Sequence, residues 1–163
     1  MSEEALLQWL QDSAIAQAIR AGEWWFPAIE TLHVLSLATV FGSILVVDLR
    51  LLGLSARATA LSRLTRETLP YTWIAFGMAA LSGSLMFISK APVYFHNLQF
   101  QLKFLCLLLA GINMLVFHAG VYRRISQWDL TLPPPAAARL AGALSIALWL
   151  GIITLGRWVG FTT

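Results

Sequence analysis

Four long stretches of mostly apolar residues make up most of the chain. They run from about residue 27 to 53, 70 to 89, 100 to 121 and 137 to 158. A helix needs about 20 predominantly apolar residues to cross the hydrocarbon core of a bilayer. The pattern therefore predicts four transmembrane helices. At about 1.5 Å per residue the first is about 40 Å long, which exceeds the roughly 30 Å core, so we expect it to tilt or protrude.

Proline and glycine residues mark the boundaries of these stretches. Pro27 falls in the first turn of the predicted first helix, where its missing N–H is tolerated, and Gly53 follows that helix as a cap. Pro70 is predicted to open the second helix. The three prolines at 133–135 cannot lie inside a helix, so they separate the third helix from the fourth.

Residues 1–26 show a different, amphipathic pattern. Apolar and small residues recur there at helical spacing, at Leu6, Trp9, Leu10, Ser13, Ala14 and Gln17. This spacing predicts one amphipathic helix lying on the membrane surface, followed by an aromatic belt at 24–26. The chain therefore divides into an amphipathic N-terminal segment, 1–26, and a four-helix transmembrane domain, 27–163.

The composition agrees with a membrane protein. Hydrophobic residues make up 58% of the chain and charged residues 12%, about half the charged fraction of a soluble domain. The net charge is +3, but the basic residues form no long run and no recognition motif, which argues against nucleic-acid binding. The fold class predicted from the sequence is all-α, a four-helix transmembrane bundle with an N-terminal amphipathic interfacial helix.

The distribution of lysine and arginine predicts the orientation. One side of the predicted bundle carries seven of these residues: Arg50, Arg57, Arg63, Arg66, Arg123, Arg124 and Arg139. The other side carries four: Arg20, Lys90, Lys103 and Arg157. Because basic residues concentrate in cytoplasmic loops, we expect the first side to be cytoplasmic and both termini to be periplasmic in a bacterial inner membrane.

Ionisable residues in or near the spans are the candidates for chemistry, because burying them in lipid is costly. Glu30 and His33 share one face of the first helix and belong, with Lys103 and Arg157, to the same predicted leaflet. His33 is a candidate metal or heme ligand. The alternative is that His33 is a hydrogen-bonded helix contact, while Lys103 and Arg157 reach lipid phosphates.

A second group belongs to the opposite leaflet and is interpreted mainly as structural. Asp48 ends the first helix and is expected to form an ion pair with Arg50, Arg123 or His118. His118 as a second heme ligand or proton relay is the less favoured alternative, and His96 is interpreted as an interfacial histidine. A single cysteine excludes an intrachain disulfide, and no Cys-x-x-Cys, phosphate-binding loop or dinucleotide-binding motif is present.

Several short motifs resemble known membrane families. These are ETLHVL at 30–35, FGS at 41–43, DLRLLG at 48–53 and QLKFL at 101–105. They resemble an uncharacterised family of bacterial four-helix membrane proteins. They are similar, more distantly, to HemJ-type protoporphyrinogen oxidases and CopD-type copper-resistance proteins. In those two families an early histidine in the first span and an early lysine in the third span match His33 and Lys103, and Asn113 matches a later asparagine of the CopD type.

The resemblance implies a b-type heme and membrane electron transfer, with a quinone as an electron partner. His33 would be the axial metal ligand, Lys103 the opposing ligand or a charge partner, Arg157 a propionate or quinone contact, and Glu30 a residue that orients His33. An enzyme of this kind would be a heme-dependent oxidoreductase. The alternatives are an accessory subunit, docked on a protein partner or a second copy, and a small ion or metal transporter.

Overall fold

The computed structural model describes residues 2–56, 58–130 and 133–162, and the described residues are almost entirely helical. Arg57, one of the seven basic residues used to predict the orientation, lies outside the described residues. In chain order the described α-helices are α1 (Glu3–Gln11), α2 (Ala14–Ala21), α3 (Trp25–Leu51), α4 (Leu61–Ser89), α5 (Ala91–Phe95), α6 (Leu98–Ala119) and α7 (Ala136–Thr162). A 3-10 helix, Val121–Gln127, follows α6.

Helices α3, α4, α6 and α7 are long and apolar enough to cross a membrane. Many of their large apolar side chains point away from the protein; Leu35, Leu108 and Val116 are each more than 60% exposed. Such a surface would be unstable in water and is the normal one against lipid tails. The predicted four-helix transmembrane bundle is therefore confirmed as an architecture.

The bundle has two ends, named here after a residue near each. At the Glu30 end α3 begins, α4 ends, α6 begins and α7 ends; at the Arg50 end the four helices have their other termini. Helices α1, α2 and α5 lie at the Glu30 end, where α1 contacts α5 and α2 contacts α3 and α4.

The four long helices do not pack symmetrically. Helix α3 packs against α4 and α7, and α6 packs against α7, whereas α4 and α6 make few close backbone approaches and are joined near the Glu30 end by the stacked rings of Phe87 and Phe100. A central layer of buried side chains, formed by Val40, Ala75, Trp149 and Ile152, joins α3, α4 and α7. The four helices therefore form an arc whose open side lies between α4 and α6.

Helix α4 begins nine residues earlier than predicted. Its first residue is Leu61, and Pro70 lies inside the helix rather than at its start. The first two turns carry buried Leu61 and Thr65 on one side and exposed Arg63 on the other. This segment is too polar to be read as part of a hydrophobic run, but it is helical because one of its faces packs on the protein.

The N-terminal segment is two helices rather than one. Ser13 ends the first and caps the second, since its hydroxyl accepts a hydrogen bond from the backbone N–H of Ala16. The side chains buried against the bundle are Leu7, Ala16 and Ile19, whereas Trp9, which we expected on the apolar face, is 65% exposed. The break shifts the helical phase, so a single face cannot continue through both helices.

Arg50 is the main cross-link at the end of the bundle named after it. Its side chain is fully buried; Nε donates to the carbonyl of Thr59 at 3.0 Å and Nη2 to the carbonyl of Asp129 at 2.9 Å. The predicted cap is confirmed nearby, because Gly53 adopts a left-handed φ of 74° and donates its N–H to the Arg50 carbonyl. Arg50 thus ties α3 to both connecting segments at this end.

Asp129 completes this cross-link by capping α4. Its carboxylate accepts the backbone N–H of Ser62 at 2.9 Å and the Ser62 hydroxyl at 2.5 Å. A negative charge is favourable at this helix terminus. Partial burial of Asp129 favours its neutral form, but the hydrogen bonds from Ser62 and Leu61 and the nearby Arg50 outweigh burial and lower the pKa of the carboxyl group. The cap is therefore charged at neutral pH.

We expect Arg50→Met to destabilise the protein by about 3 kcal/mol, because two carbonyl groups lose a charged hydrogen-bond donor. Thermal unfolding in detergent measures this change. The matched control is Arg63→Met, which removes an exposed arginine whose 2.8 Å ion pair with Glu67 is of a kind worth at most about 1 kcal/mol. Equal effects of the two substitutions would contradict the role assigned to Arg50.

Candidate functional site

His33 faces α4 and is held there by hydrogen bonds. Its Nδ1 lies 2.9 Å from the Ala79 carbonyl oxygen and 3.1 Å from the Ser82 hydroxyl. Because a carbonyl only accepts, Nδ1 is the nitrogen that carries the proton, and the lone pair of a neutral ring is then on Nε2. The ring also packs on Gly83, where an added Cβ would lie 3.0 Å from the ring. His33 is thus an interhelical contact with one ring nitrogen left for other chemistry.

Lys103 reaches the interior from the opposite side of the bundle. Its ammonium group lies against Gly156 of α7, since a Cβ at that glycine would be 3.4 Å from Nζ. It is close enough to His33 to act on the imidazole electrostatically. The structure therefore brings together the two residues that the sequence singled out in the first and third spans.

The other two predicted site residues lie apart from this pair. Arg157 is exposed, and its guanidinium lies 4.9 Å from the ring centroid of Phe161. Glu30 is also exposed; burial and the nearby Glu30 carboxylate raise the pKa of Tyr94. That Glu30 orients His33 stays a prediction; Nδ1 of His33 bonds to the Ala79 carbonyl on α4.

Metal binding at His33 would need ligands of other kinds. Within residues 2–56, 58–130 and 133–162, no three His, Cys, Asp or Glu side chains converge to hold an ion. His96 is exposed beside Phe95, in agreement with an interfacial position.

A cleft lies among the four spanning helices toward the Arg50 end. It has a volume of about 590 Å³ and is lined by α3, α4, α6 and α7, with its open side between α4 and α6. Most of its wall is apolar, including Val40, Val47, Phe104, Leu107, Phe117 and Trp149. Polar side chains line it as well, among them Ser43, Asp48, Thr72, Asn113, His118 and Ser145.

Most of these polar groups already have partners. The hydroxyl groups of Ser43 and Thr72 lie 2.7 Å apart, linking α3 to α4. Asn113 donates to the Ala141 carbonyl at 3.0 Å, and Nδ1 of His118 lies 2.9 Å from the Met114 carbonyl. These contacts satisfy groups that would otherwise be costly in lipid.

Asp48 is the exception. The residue is only 5% exposed, and its Oδ2 has no hydrogen-bond partner among the residues that the structure describes. The Ser145 side chain on α7 interacts with the same carboxyl group. The predicted ion pair with Arg50 is not formed, because Arg50 directs its donors to the two connecting segments. A buried carboxyl oxygen without a partner faces an apolar cleft.

The cleft was not predicted from the sequence. Asp48 and His118 were predicted to lie at the same depth in the membrane, but both were interpreted as structural. The signal that was available was this shared depth together with Asn113. Three polar side chains at a similar depth in mostly apolar helices are expected to face the interior of the bundle rather than lipid. The polar positions alone do not show which pair of helices is separated by the cleft.

Comparison with known proteins gives a family but no activity. No curated protein and no solved structure matches the chain. Nothing in the comparisons links it to the HemJ-type or CopD-type proteins. A family model described as "Family of unknown function (DUF6644)" matches residues 14–162, which include both terminal transmembrane helices, the His33–Lys103 pair and the cleft. The chain therefore belongs to this family of unknown function.

Proposed function

We propose that this protein binds a lipid-soluble small molecule in the cleft, one that is largely apolar and has a polar end. The observation that carries the proposal is the buried Oδ2 of Asp48, which has no partner among the described residues and lies in an otherwise mostly apolar wall. Binding sites for small molecules typically combine an apolar cavity of about 300–1,000 Å³ with a few polar groups. The cleft has both properties.

The gap between α4 and α6 supports a route of access from the bilayer. The ring stack of Phe87 on Phe100 joins these helices near the Glu30 end, and toward the Arg50 end a molecule dissolved in the lipid can enter sideways between them. A quinol belongs to this class, since it has an apolar ring and hydroxyl donors. The cleft is thus compatible with the quinone-linked function predicted from the sequence.

Heme binding is the second candidate function, and one observation favours it. His33 and His118 each direct Nδ1 to a backbone carbonyl, the arrangement that leaves Nε2 for a metal. The rest of the geometry fits a heme less well. His118 lines the cleft, but the described lining residues include a carboxyl group and no lysine or arginine to receive propionates. His33 has Lys103 nearby, but neither residue lines the cleft.

For the orientation, we propose that the Arg50 end faces the cytoplasm of a bacterial cell and that both termini are periplasmic. The excess of arginine at that end supports this arrangement. Alkaline phosphatase fused after residue 162 would then be active, and a fusion within the segment that joins α3 to α4 would be inactive. The reverse pattern would overturn the orientation.

Filling the cleft tests the leading proposal. Gly111 lines it, and a Cβ added there meets no atom within 4 Å, so Gly111→Leu adds a bulky side chain at the cleft wall from a position that accepts a Cβ. We expect this substitution to weaken the binding of 1-naphthylmethanol, a neutral ring with a hydroxyl donor, by at least about tenfold. Ligand-induced thermal stabilisation of the detergent-purified protein measures the binding.

The matched control is Gly77→Leu. Gly77 also lies in a spanning helix with no atom within 4 Å of an added Cβ, but it does not line the cleft. The control variant should bind the probe as the unsubstituted protein does. Equal binding by all three proteins would place the probe elsewhere and sink the proposal.

An absorption spectrum tests the second candidate. If the protein purified from heme-replete cells carries a b-type heme, dithionite reduction gives sharp α and β bands. Loss of these bands in His33→Ala alone would assign the axial ligand predicted from the sequence, and loss in His118→Ala alone would move the heme to the cleft. A colourless protein would rule the heme function out.

A further inference from the structure

We propose that the ligand of the cleft is a lipophilic amine, bound with its protonated nitrogen at Asp48. This inference rests on the proposed function and names the chemical class of its ligand. It follows from the charges on the cleft wall, from the state of the Asp48 carboxyl group and from the aromatic side chains around the cavity.

The cleft wall carries acidic but no strongly basic side chains. Asp48 lines it, and no lysine or arginine is among the described lining residues. The nearest arginine along the chain, Arg50, does not line the cleft: Nε and Nη2 donate to carbonyls outside it, and the buried Nη1 has no partner among the described residues. His118 also lines the cleft, with Nδ1 held by the Met114 carbonyl. An anionic ligand would therefore meet no fixed cation, whereas a cationic ligand would meet a carboxyl group.

The Asp48 carboxyl group is buried and only partly hydrogen-bonded. It is 5% exposed, Ser145 interacts with it, and Oδ2 has no partner among the described residues. A buried carboxylate without a counter-charge is costly, and an added cationic donor removes that cost. A charged hydrogen bond is also stronger than a neutral one. A protonated amine therefore gains more at this position than a neutral hydroxyl group does.

Aromatic residues make the remaining wall favourable for a cation as well. Trp73, Phe76, Phe104, Phe117 and Trp149 all line the cavity. The face of an aromatic ring attracts an ammonium group, and aromatic rings also bury the apolar part of a ligand. The wall thus accommodates both halves of an amphipathic amine.

Two probes of the same shape test the inference. 1-Naphthylmethylamine and 1-naphthylmethanol differ in their polar group, which is a protonated amine in the first at neutral pH and a hydroxyl group in the second. Binding of each to the full chain in detergent is measured by thermal stabilisation and corrected with Gly111→Leu for partition into the micelle. We expect the amine to bind at least about tenfold more tightly than the alcohol.

Asp48→Asn keeps the size of the side chain and removes its charge, so it should abolish the preference for the amine. The matched control is Glu67→Gln, which neutralises an exposed carboxylate outside the cleft and should retain the preference. If Asp48→Asn does not fold, the comparison of the two probes on the unsubstituted protein still decides whether the cleft prefers an amine to an alcohol.

The outcomes separate this inference from the proposed function. Equal binding of the amine and the alcohol, both lost in Gly111→Leu, would overturn the amine and leave the cleft as a binding site for neutral molecules. An amine preference that survives in Asp48→Asn would also overturn the assignment to Asp48. If Gly111→Leu changes the binding of neither probe, both proposals fail.

Discussion

The dominant constraint on this protein is that polar groups within the hydrocarbon core have no water to bind, so each needs a partner inside the chain. Helix formation provides hydrogen-bond partners for the backbone N–H and C=O groups. Side chains then follow the same rule: His33 bonds to the Ala79 carbonyl, and Asn113 to the Ala141 carbonyl. Against this background two buried atoms of the described residues stand out because they have no partner, Oδ2 of Asp48 and Nη1 of Arg50, and only Asp48 lines the cleft. That carboxyl oxygen is what gives the cleft its chemical character.

The cross-link at Arg50 joins the connecting segments at the end of the bundle next to the cleft. Arg50 holds the α3–α4 connection through Thr59 and the α6–α7 connection through Asp129, and Asp129 caps α4 in turn. At the Glu30 end, α4 and α6 are joined by the stacked rings of Phe87 and Phe100. The cleft therefore lies between one end joined by polar bonds and another joined by aromatic packing.

The two halves of the bundle differ in how the helices are arranged. Toward the Glu30 end, His33, Ser82 and Gly83 make a close contact between α3 and α4, and Lys103 lies against α7. Toward the Arg50 end, the same four helices spread around an apolar space. Small residues permit close approach in both halves, Gly83 against His33 in the first and Gly142 against Asp48 and Leu51 in the second, and large aromatic residues such as Phe117 and Trp149 line the gap.

The sequence by itself determined the four spans, because the length of an apolar run alone decides whether a helix can cross lipid. Helices α3 and α6 begin and end within two residues of the predicted bounds, and α4 departed only where a polar but packed segment preceded Pro70. It also marked His33 and Lys103, since ionisable residues are conspicuous in an apolar run. Only the tertiary structure decided that Arg50 binds a carbonyl 79 residues away, that Asp48 lacks a partner and that a cleft exists, because these depend on which helices touch.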